Sequence, residues 1–210
     1  MARTTPTDRW RVPGDWRGDV CFIICGGPSV SDHDLSRLSG RRVIAINSSM
    51  FTYPSADYGI FADHHWWTEW KSRAVAEFQG RVVTMDPMRR GIYLHLLHRA
   101  RQSGLTRDPR YVAVWHTTTT AAINLACHLL DWSGEIGLLG LDGEDRDGRS
   151  WHHDPHPEGW PRSAKRYHFH GLALQAVADF LAATGVRAYN CNPRAAHRMF
   201  PHRSFEEMTA

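Results

Sequence analysis

The side chains able to do chemistry gather in two histidine-rich stretches and a few short polar turns. The stretches "HHWWTEW" (64–70) and "WHHDPHPEGWPRSAKRYHFH" (151–170) hold 7 of the 14 histidines and 5 of the 9 tryptophans of the chain. Imidazoles change charge near neutral pH, and indoles are costly on an open surface, so such segments point to the lining of a site. His168 and His170, just ahead of an apolar-periodic run, are the candidate general bases. Tyr167 beside them offers a hydroxyl to a departing phosphate, and Asp142 adds a carboxylate at the start of the same loop, followed by Asp145, Asp147 and Asp154. His152, His153 and His156 follow H-H-x-x-H spacing, without the glutamate of a zincin and without a nearby cysteine, which argues against tetrahedral zinc. His64 and His65, neighbours on an extended segment, point opposite ways and do not share an ion, which leaves Asp63 as a hydrogen-bonding group. No metal ligand is assigned.

The polar turns follow apolar runs. After "VCFIIC" come Gly26, Gly27, Pro28 and Ser29, which match neither GxGxxG nor GxxxxGK[ST]. Two glycines let a backbone approach a ligand closely, and Ser29 can cap the next turn while its amides face an anion. The same four residues also make a plain tight corner. Asn47 follows "VIAI" and suits either a base or ribose contact or an Asx turn. Thr117, Thr118 and Thr119 open a helix directly after "AVWH", where free amides and hydroxyls cap the helix and suit an anion. There is no G-x-S-x-G elbow and no Cys–His constellation, so nucleophilic hydrolase chemistry is disfavoured.

These groups need elements to position them. Apolar runs predict strands at 20–25, 41–47, 56–63, 81–86, 110–116, 135–143 and 186–193. Periodicity and caps predict helices at 68–80, 117–134 and 170–185, with a short helix or turn at 29–39 and a helix or insertion at 91–104. Residues 1–18 read as a polar arm, 19–205 as one Rossmann-like domain, and 141–169 as an acceptor or lid loop. Strands alternating with helices imply an α/β fold, a doubly wound and mainly parallel sheet flanked by helices. Ligands bind outside the carboxyl ends of such strands, where the polar turns all fall.

A length of 210 residues suits a single domain, and 42% hydrophobic with 22% charged content excludes wholesale disorder. The net charge of +3 is too small to demand a polynucleotide partner. Cys21, Cys25, Cys127 and Cys191 form no CxxC pair, and the first two lie in an apolar strand as small hydrophobes, which suits a reduced cytoplasmic protein. No apolar stretch approaches the roughly 20 residues that span a bilayer, and the N-terminus lacks the apolar core of a secretory signal.

In order, "FIICGGPSVSDHDLSRLSGRRVIAINSSMFTYPSADYGIFAD", "TTTTAAINLACHLLDWSGEIGLLGLDG" and "GVRAYNCNPRAAHRMFPHRSFEEM" resemble the DUF115/MptE-like domain family, the 6-hydroxymethylpterin diphosphokinases, many of them phage-encoded. The same order resembles the family 42 sialyltransferases, with their GPS turn, asparagine after the second strand, G-x-D and late histidine before a helix. The resemblance implies a transferase with a nucleotide or nucleotide-sugar site at Gly26, Gly27, Pro28, Ser29, Asn47, Asp63, Thr117, Thr118 and Thr119. It implies a base at His168 or His170, with Tyr167 on the leaving phosphate and Asp142 in the catalytic set. On the glycosyltransferase reading the acceptor is a sugar or another small molecule. On the diphosphokinase reading it is pterin-like, with Mg²⁺ held by Asp63 and Asp142. A nucleic-acid acceptor, a homo-oligomer and a non-catalytic nucleotide-binding role complete the expectations. Threonine stands where the sialyltransferase turn at 117–120 has glycine.

Overall fold

Short β-branched runs give every second side chain to each face of a sheet, and here both faces are covered. The computed structural model describes residues 10–85, 94–153 and 165–210. Strands β1 (Val20–Ile24), β2 (Arg42–Ile46), β3 (Tyr58–Phe61), β4 (Arg81–Thr84), β5 (Leu94–Leu96), β8 (Ser133–Leu139) and β9 (Gly185–Asn190) form one seven-stranded sheet, in the order β5-β4-β3-β2-β1-β8-β9. Every pairing in it is parallel. β6 (His98–Ala100) and β7 (Tyr111–Ala113) pair separately, also in parallel. The helices are α1 (Ser49–Thr52), α2 (His64–Glu77), α3 (Thr118–Leu129), α4 (Arg166–Leu181) and α5 (Phe205–Thr209). The expected α/β, Rossmann-like, mainly parallel sheet flanked by helices is what the chain adopts.

The alternation within β1 sorts the core into two layers. Cys21 and Ile23 join Ile44, Ile60, Ile136 and Leu138 on one face, under Leu125 and Leu129 of α3 and Leu174 and Val177 of α4. Phe22 and Ile24 join Val43, Ala45 and Phe61 on the other, under Met50 of α1, Trp66 and Trp67 of α2 and Phe205 of α5. Strands buried on both faces must read as continuous apolar runs, as these do. Helix α3 is buried from Thr119 to Leu129, and its one amide side chain is satisfied. Asn124 accepts from the Thr106 and Ala113 N–H groups and donates to the Thr106 carbonyl. All four cysteines are buried thiols. Among the described residues no helix is long and apolar enough to cross a membrane.

Several elements differ from their expected form. The part of 91–104 that is described contains strands β5 and β6 rather than a helix. β7 lies outside the main sheet and pairs with β6 alone. α2 starts at His64, earlier than expected, because the Asp63 carboxylate caps it by accepting from the His65 N–H at 2.8 Å. α4 likewise starts at Arg166 rather than 170. The 28–38 region forms two short 3-10 turns, and α1 and α5 were not anticipated. The supposed polar arm is not one from residue 10 onward: Val12 and Trp16 are core residues, and Trp10 packs against them. Its apolar side chains are spaced among charges, which hides them from a composition reading.

β1 lies between β2 and β8, so connections run away from it on both sides and open a crevice at their carboxyl ends. The corner there is tight. A Cβ on Gly27 would stand 2.5 Å from the Gly140 carbonyl oxygen and 2.6 Å from Asp142 Oδ2. Gly140 itself has φ 72, a left-handed value that glycine adopts without strain. Gly27→Ala should therefore cost about 1–3 kcal/mol, the range for forced overpacking. Thermal unfolding should show a Tm lower by several degrees.

Candidate active site

The crevice outside β1, β2 and β8 is a cleft of about 450 Å³, within the range of small-molecule sites. Its floor is the Gly26–Gly27 turn and the 140–143 turn. One wall is the N-terminus of α3, and the opposite wall is the first two turns of α4. Gly26, Gly27, Asn47, Asp63, Thr117, Thr118, Thr119, Asp142, Tyr167 and His170 all line it. Ten residues from six separate segments thus face one cavity.

The expected residues divide by task. Thr117 caps α3: its Oγ1 accepts from the Thr119 N–H at 3.2 Å. The amide-rich helix start then faces the cleft with its positive end. Asn47 has a left-handed backbone (φ 50), and its buried Oδ1 has no hydrogen-bond partner. An orphaned acceptor at a cleft wall suits a donor group on a ligand. Pro28 and Ser29 are buried outside the cleft lining, and their part is structural. Ser29 binds Asp142, whose Oδ2 accepts from the Ser29 N–H at 2.9 Å and whose Oδ1 accepts from the Ser29 hydroxyl and from Asn192 Nδ2. Asp142 is 5% exposed and committed to these donors, so the catalytic role expected of it gives way to a positioning one. Asp63 is a helix cap. Among the described residues no group of three His, Cys, Asp or Glu side chains is arranged to hold a metal ion.

The two candidate bases separate cleanly. His170 lines the cleft with Tyr167 and Leu174, at the i, i+3 and i+7 spacing of one helix face. His168 lies outside that face and is exposed. Burial pushes the His170 pKa down to about 4, and the positive charge near His197, Arg166 and His116 pushes the same way. Its imidazole is therefore neutral at pH 7 and able to accept a proton. The Tyr167 hydroxyl donates to Asp145 Oδ1 at 2.5 Å and accepts from Arg166 Nη2 at 3.2 Å, while the Arg166 guanidinium lies 4.3 Å over its ring. Burial first, then Asp145, raises the Tyr167 pKa, so the phenol keeps its proton.

Three lining groups carry roles that were not expected. His197, from the segment after β9, fits against Gly143 and Gly171; a Cβ on Gly143 would stand 2.6 Å from its ring. Nothing in "NPRAAHRMF" distinguishes that histidine in sequence. His116 precedes the threonine turn and stacks on Phe169 (5.0 Å, 24°), and its position at a strand end was the available signal. Trp151 covers Gly26 at van der Waals distance. Of the histidine-rich loop, His152 bridges Ser49 Oγ at 3.0 Å and Thr52 Oγ1 at 3.4 Å, pinning the loop to α1. Asp154 and His156 lie outside the described residues.

No family model matches the chain, the MptE-like family included, and no curated protein matches it by sequence. Among solved structures the chain shares its open α/β fold with a glycosyltransferase. That structure is the sialyltransferase CstII from Campylobacter jejuni, determined in complex with a substrate analogue, cytidine 5′-monophosphate. The TM-score is 0.58 at 13% identity, over 90% of this chain and 86% of that one, a likeness of fold.

Burial also pushes the His152 pKa down to about 4, with His153 opposing its protonation. Both His152 and His170 are thus neutral when folded and take a proton near 6.5 when unfolded. The unfolded state then binds more protons between these values, so stability is full above about pH 6.5 and falls as pH drops toward 4. Urea midpoints at pH 7 and pH 4.5 should show this loss, and a His152→Gln, His170→Gln double variant should show a smaller one.

Proposed function

We propose that the chain is a glycosyltransferase that uses a nucleotide-sugar donor, with His170 as general base. The reading rests chiefly on one observation: the α3 N-terminus and the His170–Tyr167 face of α4 line one cleft at the strand-order switch. The fold shared with a sialyltransferase supports it, as does the unpartnered Oδ1 of Asn47. The donor's phosphates would lie against the α3 N-terminus at Thr118 and the Gly26–Gly27 turn, with Asn47 toward the ribose or base.

The acceptor hydroxyl gives its proton to His170. Its oxygen attacks the anomeric carbon, and the bond from that carbon to the phosphate oxygen breaks, the electron pair leaving with the nucleotide. Arg166 would hydrogen-bond the departing oxygen, and Tyr167 would join it only by turning its single O–H away from Asp145. An anionic donor beside His170 also raises its proton affinity, moving a base depressed first by burial and then by its neighbours back toward its working range. His168, outside the cleft lining, is not needed.

Cytidine nucleotides should raise Tm by about 5–10 °C at a hundredfold excess over Kd, against smaller shifts for UDP, GDP and ATP, and EDTA should not abolish the effect. His170→Asn should keep the nucleotide shift and lower transfer by about 10²–10⁴-fold. A chain that no nucleotide stabilises, or a His170→Asn variant with full turnover, defeats the reading.

A further inference from the structure

A second cavity of about 520 Å³ adjoins the cleft and shares Ser150, Trp151 and His153 with it as a common wall. Its other walls come from α1 and α2, where Phe51 and Trp70 present rings 5.7 Å apart. The Trp70 Nε1–H is buried and has no acceptor. Arg73 lies 4.2 Å over the Phe51 ring and is held there by Glu77, which accepts from its Nε at 2.9 and 3.0 Å. Arg149 lines the mouth with an exposed guanidinium that has no acidic partner among the described residues.

Each feature asks for a different part of one ligand. With Arg73 over Phe51, the Trp70 ring is the aromatic surface left to meet the C–H face of a sugar, which is apolar on that side. A buried indole N–H without an acceptor loses a hydrogen bond unless a ligand oxygen supplies one. A free guanidinium at the mouth matches a carboxylate or phosphate through paired N–H groups. Two arginines, one already bound to Glu77, are too few to track a polynucleotide backbone, which needs a run of cations.

We propose that this chamber binds a saccharide carrying an anionic group, and that it is the acceptor subsite of the transferase. The second clause rests on the donor reading of the adjoining cleft. A transferase must bring two substrates to one base, and chambers that share a wall at Trp151 and His153 allow an acceptor hydroxyl to reach past that wall toward His170.

Calorimetric titration of the full chain with lactose, 3′-sialyllactose, galactose 6-phosphate and a thymidine oligonucleotide separates the outcomes. The carboxylate or the phosphate sugar, or both, should bind at least about tenfold more tightly than lactose, and which one does identifies the anion. Arg149→Ala, an exposed substitution, should erase that preference, and Trp70→Phe, which keeps a ring but removes the N–H, should weaken binding severalfold. Both variants should bind CMP as the unaltered chain does. The proposal is overturned if no saccharide binds up to about 10 mM, if the oligonucleotide binds best, or if the anionic preference survives Arg149→Ala. CMP binding without saccharide binding sinks this proposal and leaves the donor site standing. Saccharide binding with these dependences but no CMP binding supports the chamber and sinks the donor reading.

Discussion

Asp142 accepts hydrogen bonds from the Ser29 backbone, the Ser29 hydroxyl and the Asn192 amide, and so ties together the chain beyond β1, β8 and β9. The stitching continues on both sides. Asn190 donates to the Leu141 carbonyl at 2.9 Å, and the Ala196 N–H donates to the Asp142 carbonyl at 2.7 Å. A buried carboxylate is stable only when donors surround it, and removing one donor leaves an unpaired charge in a dry place. The Gly27 contact with Gly140 follows from the same closeness. The floor of the cleft is therefore a frame that holds itself together, and the groups left for a ligand lie on its walls.

Those walls are held ready rather than assembled on demand. Asn47 and His116 both sit in left-handed backbone, a conformation that costs energy and persists only where its surroundings impose it. Each stands where a strand or extended segment gives way to a helix, with its side chain in the cleft lining. On the opposite wall, Asp145 and Arg166 fix the Tyr167 hydroxyl, while Gly143 and Gly171 leave the gap that His197 fills. His170 is neutral chiefly because it is buried, with His197, Arg166 and His116 pushing the same way, and an anionic donor would oppose that influence.

The strand pattern and the edge that carries the site were legible because fully buried parallel strands write themselves as apolar runs ending in polar turns. Gly26, Asn47, Thr117 and His170 could be placed at one edge from order alone. What order could not show was division of labour. Asp142 and Ser29 looked like chemistry because polar residues at strand ends look alike whether they bind each other or a ligand. His168 and His170 were equivalent until the start of α4 at Arg166 fixed which of them shares a face with Tyr167. His197 left no trace in sequence, since its position depends on gaps at two glycines distant along the chain. Trp10, Val12 and Trp16 were hidden among charges for a related reason: a segment that is neither helix nor strand has no period to read.

The placement of β1 has a consequence for how the molecule comes into being. Cys21 pairs with Arg42 in β2 on one side but with Ile136 in β8 on the other, so the central seam of the sheet joins segments far apart in the chain. Closing so long a loop is slow, and parallel pairing across it comes late. During synthesis, β1 to β4 emerge with one side of the central strand bare, a row of open backbone groups flanked by Phe22, Ile23 and Ile24. That half-sheet is complete enough to stick to a neighbour and incomplete enough to want one. The arrival of β8 thus seals the chain against its own copies on the ribosome at the same moment that it builds the floor of the cleft.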